Sequence, residues 1–384
     1  MITLNYRKIL STLILTGILF YPGKFVVHAE NTYLAAVESS LRKAADWQIK
    51  NFKYARTGNL HDYGIDAWTN ATLYIGMLEW AKIANDSTYY DWLLDIGNTN
   101  KWKLPNNFLN YPKYQFYHAD ELCIGQFYLS MFSIYNRKEM LYHSKERADW
   151  IINNPPDSIM NISNKQSWTW CDALFMAPPL YAHLAKIEND HRYIQFMDKE
   201  FKRTYNFLYD MENNLFFRDN SYINKKELNG RKIFWGRGNG WVAAGLVNIL
   251  KALPEDSDYR QFYEKLFKVF IPRLTELQSS NGFWHASLLN PENYPSPETS
   301  ATALITYALA YGINNGLLEK EIYAPAMEKS WNALLSIMDA DGKIGWVQPI
   351  GADPKKVTEN MTAPYGVGAF LLAGSEIYVY YNNF

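Results

Sequence analysis

A weak internal repeat constrains this chain more than any other feature of its sequence. Asn213-Asn214-Leu215-Phe216-Phe217 is echoed by Asn281-Gly282-Phe283-Trp284 and again by Asp341-Gly342-Lys343-Ile344-Gly345-Trp346, at spacings of 68 and 60 residues. Each copy is a turn followed by an aromatic, set between long helical patterns. From Ser144 to Ile152, Tyr193 to Tyr209, Gly240 to Leu253 and Ala301 to Tyr311, apolar residues recur every three or four positions. That is the period of a helix with one buried face. Clusters of Pro, Gly, Asn or Asp follow each segment and stop it. Alternating strands are scarce, and no strand–helix alternation marks a parallel sheet. A repeat of this length is a supersecondary unit that stacks on its neighbours to bury a shared core. About six such units fit the chain once residues 1–29 are set aside. The prediction is an all-α toroid of six helical hairpins, an (α/α)6 barrel; an open helical bundle is the alternative that three weak repeats leave standing. No Pro/Ser-rich linker divides residues 30–384, which read as one domain. In such a ring the loops of one rim converge on a central cleft, where functional residues collect.

Residues 1–29 read as an export signal, with an uncleaved membrane anchor as the alternative. Arg7 and Lys8 supply the positive start, and Ile9 to Phe20 is an apolar run too short to span a bilayer comfortably. Val27-His28-Ala29 offers small outer residues for cleavage before Glu30. No later stretch is long and apolar enough to cross a membrane, so the exported protein is expected in a periplasm or outside the cell. Cys123 and Cys171 lack His or Cys partners at metal spacing. They are either two free buried thiols or one disulfide.

Hydrophobic residues make up 48% of the chain and charged residues 20%, with a net charge of −1. A nucleic-acid binder usually carries a basic excess, so none is expected as a partner. The aromatic content is high: 13 Trp, 29 Tyr and 20 Phe. Large rings fill cores, and they also stack on the apolar C–H face of a pyranose. Gly236-Arg237-Gly238-Asn239-Gly240 lacks the Lys-Ser/Thr of a phosphate loop, and there is no His-Glu-x-x-His or Gly-x-Ser-x-Gly.

What remains is a set of polar residues embedded in aromatics. Asp172 follows Trp168 and Trp170 and opens an apolar helical stretch. Desolvation by those rings would raise its pKa toward a useful general-acid value; the alternative is a plain helix cap. Asp120, beside His118 and Glu121, is a second catalytic carboxylate, a holder of sugar hydroxyls, or another cap. His118 taken alone reads as a hydrogen-bonded structural residue. Trp235, Arg237 and Trp241 alternate with glycines that allow close backbone approach. Arg237 has the fork to hold a carboxylate, or it is stacked between rings for packing.

Together these segments resemble glycoside hydrolase family 105. The resemblance rests on Tyr117-His118-Ala119-Asp120, on Trp170-Cys171-Asp172-Ala173-Leu174-Phe175-Met176-Ala177-Pro178-Pro179 and on Trp235-Gly236-Arg237-Gly238-Asn239-Gly240-Trp241. Glu298-Thr299-Ser300, Trp346-Val347-Gln348-Pro349 and Tyr365-Gly366-Val367-Gly368 follow in the family's order. The resemblance implies the (α/α)6 fold and removal of a 4,5-unsaturated uronic acid from the non-reducing end of lyase-generated oligosaccharides. It implies Asp172 as proton donor and Asp120 in contact with the sugar, with Trp168, Trp170, Trp235 and Trp241 as walls and Arg237 on the uronate carboxylate. No metal or organic cofactor is implied. Gly236 departs from the Ser or Ala commoner there.

Two other functions share these residues. A conventional glycosidase on the same ring would hold Asp120 and Asp172 about 6.5–9.5 Å apart if inverting. A non-catalytic protein would use the tryptophans as a sugar platform. The resemblance favours a pectic rhamnogalacturonan product as substrate, while galacturonate, sulfated rhamnose or arabinogalactan neighbours need only different pocket edges. Asn290 to Pro297 and Arg218 to Arg231 are the expected edges.

Overall fold

The computed structural model describes residues 22–54, 63–105, 114–164 and 166–383. Residues 1–21, most of the expected export signal, lie outside the described residues, and Val27-His28-Ala29 falls within the first helix. Among the described residues, fourteen α-helical segments follow one another. They are α1 (Pro22–Asn51), α2 (Trp68–Ala84), α3 (Ser87–Thr99), α4 (Tyr114–Tyr117), α5 (Ala119–Tyr135), α6 (Lys138–Asn153) and α7 (Ala173–Met176). Then come α8 (Pro178–Glu188), α9 (His191–Leu208), α10 (Gly236–Ala252), α11 (Arg260–Glu276), α12 (Thr299–Asn314), α13 (Lys320–Ser336) and α14 (Pro364–Asn382). Strands β1 (Tyr209–Asp210) and β2 (Leu215–Phe216) form a small antiparallel ribbon in which Tyr209 faces Phe216.

Six helices close a ring. Helix α2 touches α5, α5 touches α8, α8 touches α10, α10 touches α12, α12 touches α14, and α14 returns to α2. That last contact rules out the open bundle. The sequence separates inner from outer helices by how much of their circumference is apolar. Every residue of α12 from Thr299 to Ile313 is buried. The outer helix α9, packed on α8, buries a stripe that includes Tyr193, Ile194, Met197, Phe201, Thr204 and Leu208, and leaves most of the rest less buried.

Turn chemistry puts the two kinds of connection at opposite ends. Inner helices α2, α5 and α8 end on Asn85, Asn136 and Asn189, with φ of 47°, 52° and 51°. Asn tolerates this left-handed cap. The next residue already starts an outer helix: Asp86 and Asp190 accept the N–H groups of Thr88 and Arg192. The return connections are longer and carry the repeated turns. Asn214, Gly282 and Gly342 hold the same place in each, at φ 52°, 90° and 96°. At Gly342 a Cβ would also lie 2.3 Å from the Lys43 carbonyl oxygen, so both backbone shape and packing demand glycine. The long loops and the N-termini of the inner helices therefore share one rim.

Both cysteines are free and buried, which settles their pairing. No helix among the described residues is long and apolar enough to cross a membrane.

The seam of the ring is a direct crossing of helix backbones. A Cβ on Gly76 would lie 2.2 Å from the Gly368 oxygen, and one on Gly368 would lie 2.3 Å from the Thr72 oxygen. Gly368→Ala should gain about 1 kcal/mol of helix propensity but force α14 away from α2, at a typical overpacking penalty of about 1–3 kcal/mol. A lowered thermal midpoint is expected; an unchanged or raised one would show that the seam yields freely.

Candidate active site

Asp172 sits where the return loop of one hairpin meets the start of an inner helix. The Cys171 N–H donates to the Arg218 carbonyl at 2.8 Å, and Trp170 bridges to Asp219. The chain then makes the single turn α7 before Pro178 and Pro179 open α8. Asp172 occupies the N-cap place of α7, yet its φ and ψ of −61° and −27° are helical and its side chain caps nothing. The helix-cap alternative thus falls. The residue is 7% exposed, and Oδ1 has no hydrogen-bond partner. Burial pushes the pKa up from 3.8 to about 6, against the pull of Arg218 and Arg237 and with a further push from the charge of Asp120. Gly238 makes room for this arrangement. A Cβ there would lie 3.0 Å from both Cys171 Sγ and the Trp235 ring, and 3.7 Å from Asp172 Oδ1.

A second group of acids stands at the start of α5. His118 takes the N-cap position without a capping hydrogen bond, and Asp120 and Glu121 fill the first turn. Nδ1 of His118 is 3.9 Å from Asp120 Oδ2, and its ring lies 4.9 Å from that of Trp170. Burial raises Glu121 to about 7, helped by the negative charges of Asp120 and Asp66, with Arg147 opposing. Asp66, just before α2, is raised by burial as well. Carboxyls from three hairpins thus crowd one rim and disfavour each other's ionisation.

Arg237, in the first turn of α10, is 1% exposed. Its Nη1 donates to the Gln348 carbonyl and to the Tyr365 hydroxyl, and Nη2 donates to the Pro349 carbonyl at 2.8 Å. Its guanidinium lies 4.5 Å from the Trp235 ring and 5.2 Å from that of Tyr365. Only Nε lacks a partner. Gln348 also accepts from the Trp235 indole N–H, and its own backbone N–H donates to Glu298. Glu298 in turn caps α12 through Ser300 and Ala301. This largely buried network fastens the starts of α10, α12 and α14 to the loop between α13 and α14.

The model of glycosyl hydrolase family 88 matches residues 40–381, nearly the whole ring. The chain belongs to glycosyl hydrolase family 88. Two relatives are each named an unsaturated 3S-rhamnoglycuronyl hydrolase. That of Formosa agariphila is 37% identical over 96% of this chain and 97% of its own. That of an Alteromonas species is 34% identical over 90% and 88%. A solved family 88 structure from Bacteroides vulgatus superposes with a TM-score of 0.81 at 30% identity, covering 91% of this chain and 99% of that one.

In this family 88 enzyme the sequence-derived residues divide into two groups. Asp172, Asp120, His118, Trp170, Trp235 and Arg237 gather at the rim. Trp168 and Trp241 turn into the core. The Trp168 ring packs on Tyr181 and Phe196, each 6.1 Å away, and that of Trp241 on Phe175 at 4.7 Å and Trp68 at 6.0 Å. Trp170, at 4% exposed, is as buried as Trp168. In Arg237, Nη1 donates to the Gln348 carbonyl and the Tyr365 hydroxyl and Nη2 to the Pro349 carbonyl, which leaves Nε–H and one Nη2–H for a carboxylate. The two expected edges are one structure: Arg231 donates to the Leu289 carbonyl, Asn229 to Glu292, and Ser287 to Glu227.

Arg218 was missed as an individual residue. Its Nε lies 3.4 Å from Asp172 Oδ2, and its Nη1 donates to Asp219 at 2.7 Å. The usable signal was position. Arg218, His285 and Gln348 each stand a few residues past a repeated turn, where the return loop reaches the rim.

A carboxyl with a raised folded pKa is most at home protonated. Its penalty to stability is absent below about pH 3.8 and complete above about pH 6. Asp172→Asn should therefore stabilise the fold at pH 8 by about 1–2 kcal/mol and hardly at all at pH 4. Equal midpoints at pH 8 would contradict a buried, raised carboxyl. Arg237→Lys cannot span two carbonyls or stack as a plane. It should cost about 2–3 kcal/mol in denaturant unfolding, the penalty of an unpaired buried acceptor; a neutral effect would show that the network does not brace the rim.

Proposed function

We propose that this chain removes a 4,5-unsaturated uronic acid from the non-reducing end of lyase-generated oligosaccharides, with Asp172 as proton donor. The observation that carries the reading is a buried carboxyl at the rim of the ring, uncapped and unpaired at Oδ1, with a pKa near 6. An enol ether needs one such acid. Protonation of C4 draws the double-bond electrons into the new C4–H bond and leaves C5 as a cation that the ring oxygen stabilises. The Asp172 carboxylate then takes a proton from water as that water adds to C5. The resulting hemiketal opens and frees the aglycone, so the net reaction is addition of one water. Trp170, Trp235 and His118 limit solvent beside the acid, which keeps it protonated. Asp120, at the positive N-terminal end of α5, is placed to accept sugar hydroxyls.

Within family 88 we assign the chain to the family 105 subtype, on the motifs around Asp120, Asp172 and Arg237. The aglycone we assign is a rhamnose sulfated at O3, in preference to the pectic rhamnose suggested by the motifs alone. The support is the shared name of the two relatives that match over nearly their full lengths. The relative named an unsaturated rhamnogalacturonyl hydrolase, from Bacillus subtilis, matches only 51% of this chain at 26% identity. Export is assigned on Arg7, Lys8 and the apolar run from Ile9 to Phe20.

The test is ultraviolet absorbance on unsaturated disaccharides, sulfated and pectic, with saturated ones as controls. Loss of absorbance with release of reducing sugar is expected, fastest on the sulfated rhamnose product. Cleavage of saturated substrates alone would instead favour a two-carboxylate glycosidase. Asp172→Asn should lose about 10³-fold or more in kcat while keeping ligand affinity. Because the acid works protonated, kcat/KM should fall as pH rises through about 6. A rate that climbs through that range would assign Asp172 the role of base.

A further inference from the structure

Two arginines act on Asp172, and Arg218 keeps more of its donors for a ligand. Arg237 is 1% exposed and holds two main-chain carbonyls and a hydroxyl. The Arg218 side chain is 19% exposed and is anchored through Nη1 to Asp219. Asp219 is itself held, since it caps the following turn by accepting from the Ser221 N–H. The Arg218 backbone is zipped to Cys171, so its guanidinium has a fixed base beside the acid. Yet Nε faces Asp172 Oδ2 at 3.4 Å without forming a hydrogen bond, and Asp172 Oδ1 is also unbonded. Two oppositely charged groups thus stand close with donor and acceptor capacity left over.

The substrate supplies what this pair lacks. If Asp172 delivers its proton to C4, then C4 lies about 3–3.5 Å from the carboxyl. The uronate carboxylate is attached to C5, the next ring atom. The cation that receives it must therefore stand beside the acid, within a few ångströms, as Arg218 does. We propose that Arg218 binds the uronate carboxylate of the substrate, exchanging its ion pair with Asp172 for one with the ligand. The exchange has a chemical consequence. Arg218 favours ionised Asp172 in the free protein; once the substrate carboxylate takes that charge, Asp172 holds its proton more firmly. The substrate thereby arms its own acid. This inference rests on the hydrolase reading above, since it assumes that the ligand carries a carboxylate at C5.

Binding measured without turnover tests it. In the Asp172→Asn protein, calorimetry would compare the unsaturated glucuronyl–3-sulforhamnose disaccharide with its C6 methyl ester. The acid is expected to bind about thirtyfold tighter than the ester, the range of a charge-assisted pair. Adding Arg218→Gln should bring that ratio close to one. Adding Arg218→Lys, which keeps the charge and loses the fork, should leave a ratio of a few and serves if the Gln variant does not fold. A ratio that survives both substitutions would overturn the proposal and return the carboxylate to Arg237. A ratio near one before any change at Arg218 would overturn it as well. Wild-type protein that shows the expected ratios but consumes no double bond would sink the hydrolase reading and leave the carboxylate site standing.

Discussion

The contact between α14 and α2 is what the rest of the molecule depends on. Six hairpins can stack in a row without limit, but only closure buries both flanks of the first and last inner helices. Closure here needs two helix backbones to cross with almost nothing between them, which is why Gly76 and Gly368 face each other's turns. Once the ring is shut, every inner helix is packed on both sides. The N-termini of all six then share one rim, with their exposed N–H groups and positive dipole ends. That common orientation lets residues as far apart in sequence as Asp120, Asp172 and Arg237 act on one small volume.

The rim holds its acid at an energetic disadvantage. Asp172 is buried without the hydrogen bonds that normally accompany a buried carboxyl, and its neighbours include other acids. Such a group is expensive to ionise, and for a proton donor that expense is the function. The surrounding structure offsets it elsewhere. Glu298, Gln348, Arg237 and Tyr365 form a buried network, satisfied at almost every atom, that clamps three inner helices together. Opposite the rim, Lys251 lies 3.6 Å from Glu79 and 2.5 Å from Glu376; burial pushes Glu79 up, but Lys251 and Lys82 together hold it down at about 2. One end of the ring keeps its charges paired, while the other keeps a buried carboxyl with a raised pKa.

Arginine illustrates how poorly residue type alone predicts role. Arg237 sits among glycines and tryptophans, the setting expected for ligand contact, and the fold spends its fork on main-chain carbonyls. Arg218 sits in an undistinguished loop, and the fold delivers it to the acid. The difference lies in which loop each return segment pairs with. Trp170 and Cys171 run beside Arg218 and Asp219, a pairing across some 48 residues that no local pattern encodes.

The sequence by itself determined the helical periods, the left-handed Asn and Gly turns and the sixfold count, because these depend on neighbours a few residues away. It also singled out Asp172, because two flanking tryptophans and a specific motif mark it locally. Tertiary structure alone decided that Asp172 caps nothing, that Trp168 and Trp241 are buried among other rings, that Arg237 donates to two main-chain carbonyls, and that both cysteines stay free. Each of those outcomes depends on which atoms from distant hairpins fill the space beside a side chain. That is set only when the ring closes, because desolvation and hydrogen-bond partnership belong to the assembled rim and not to any segment of the chain.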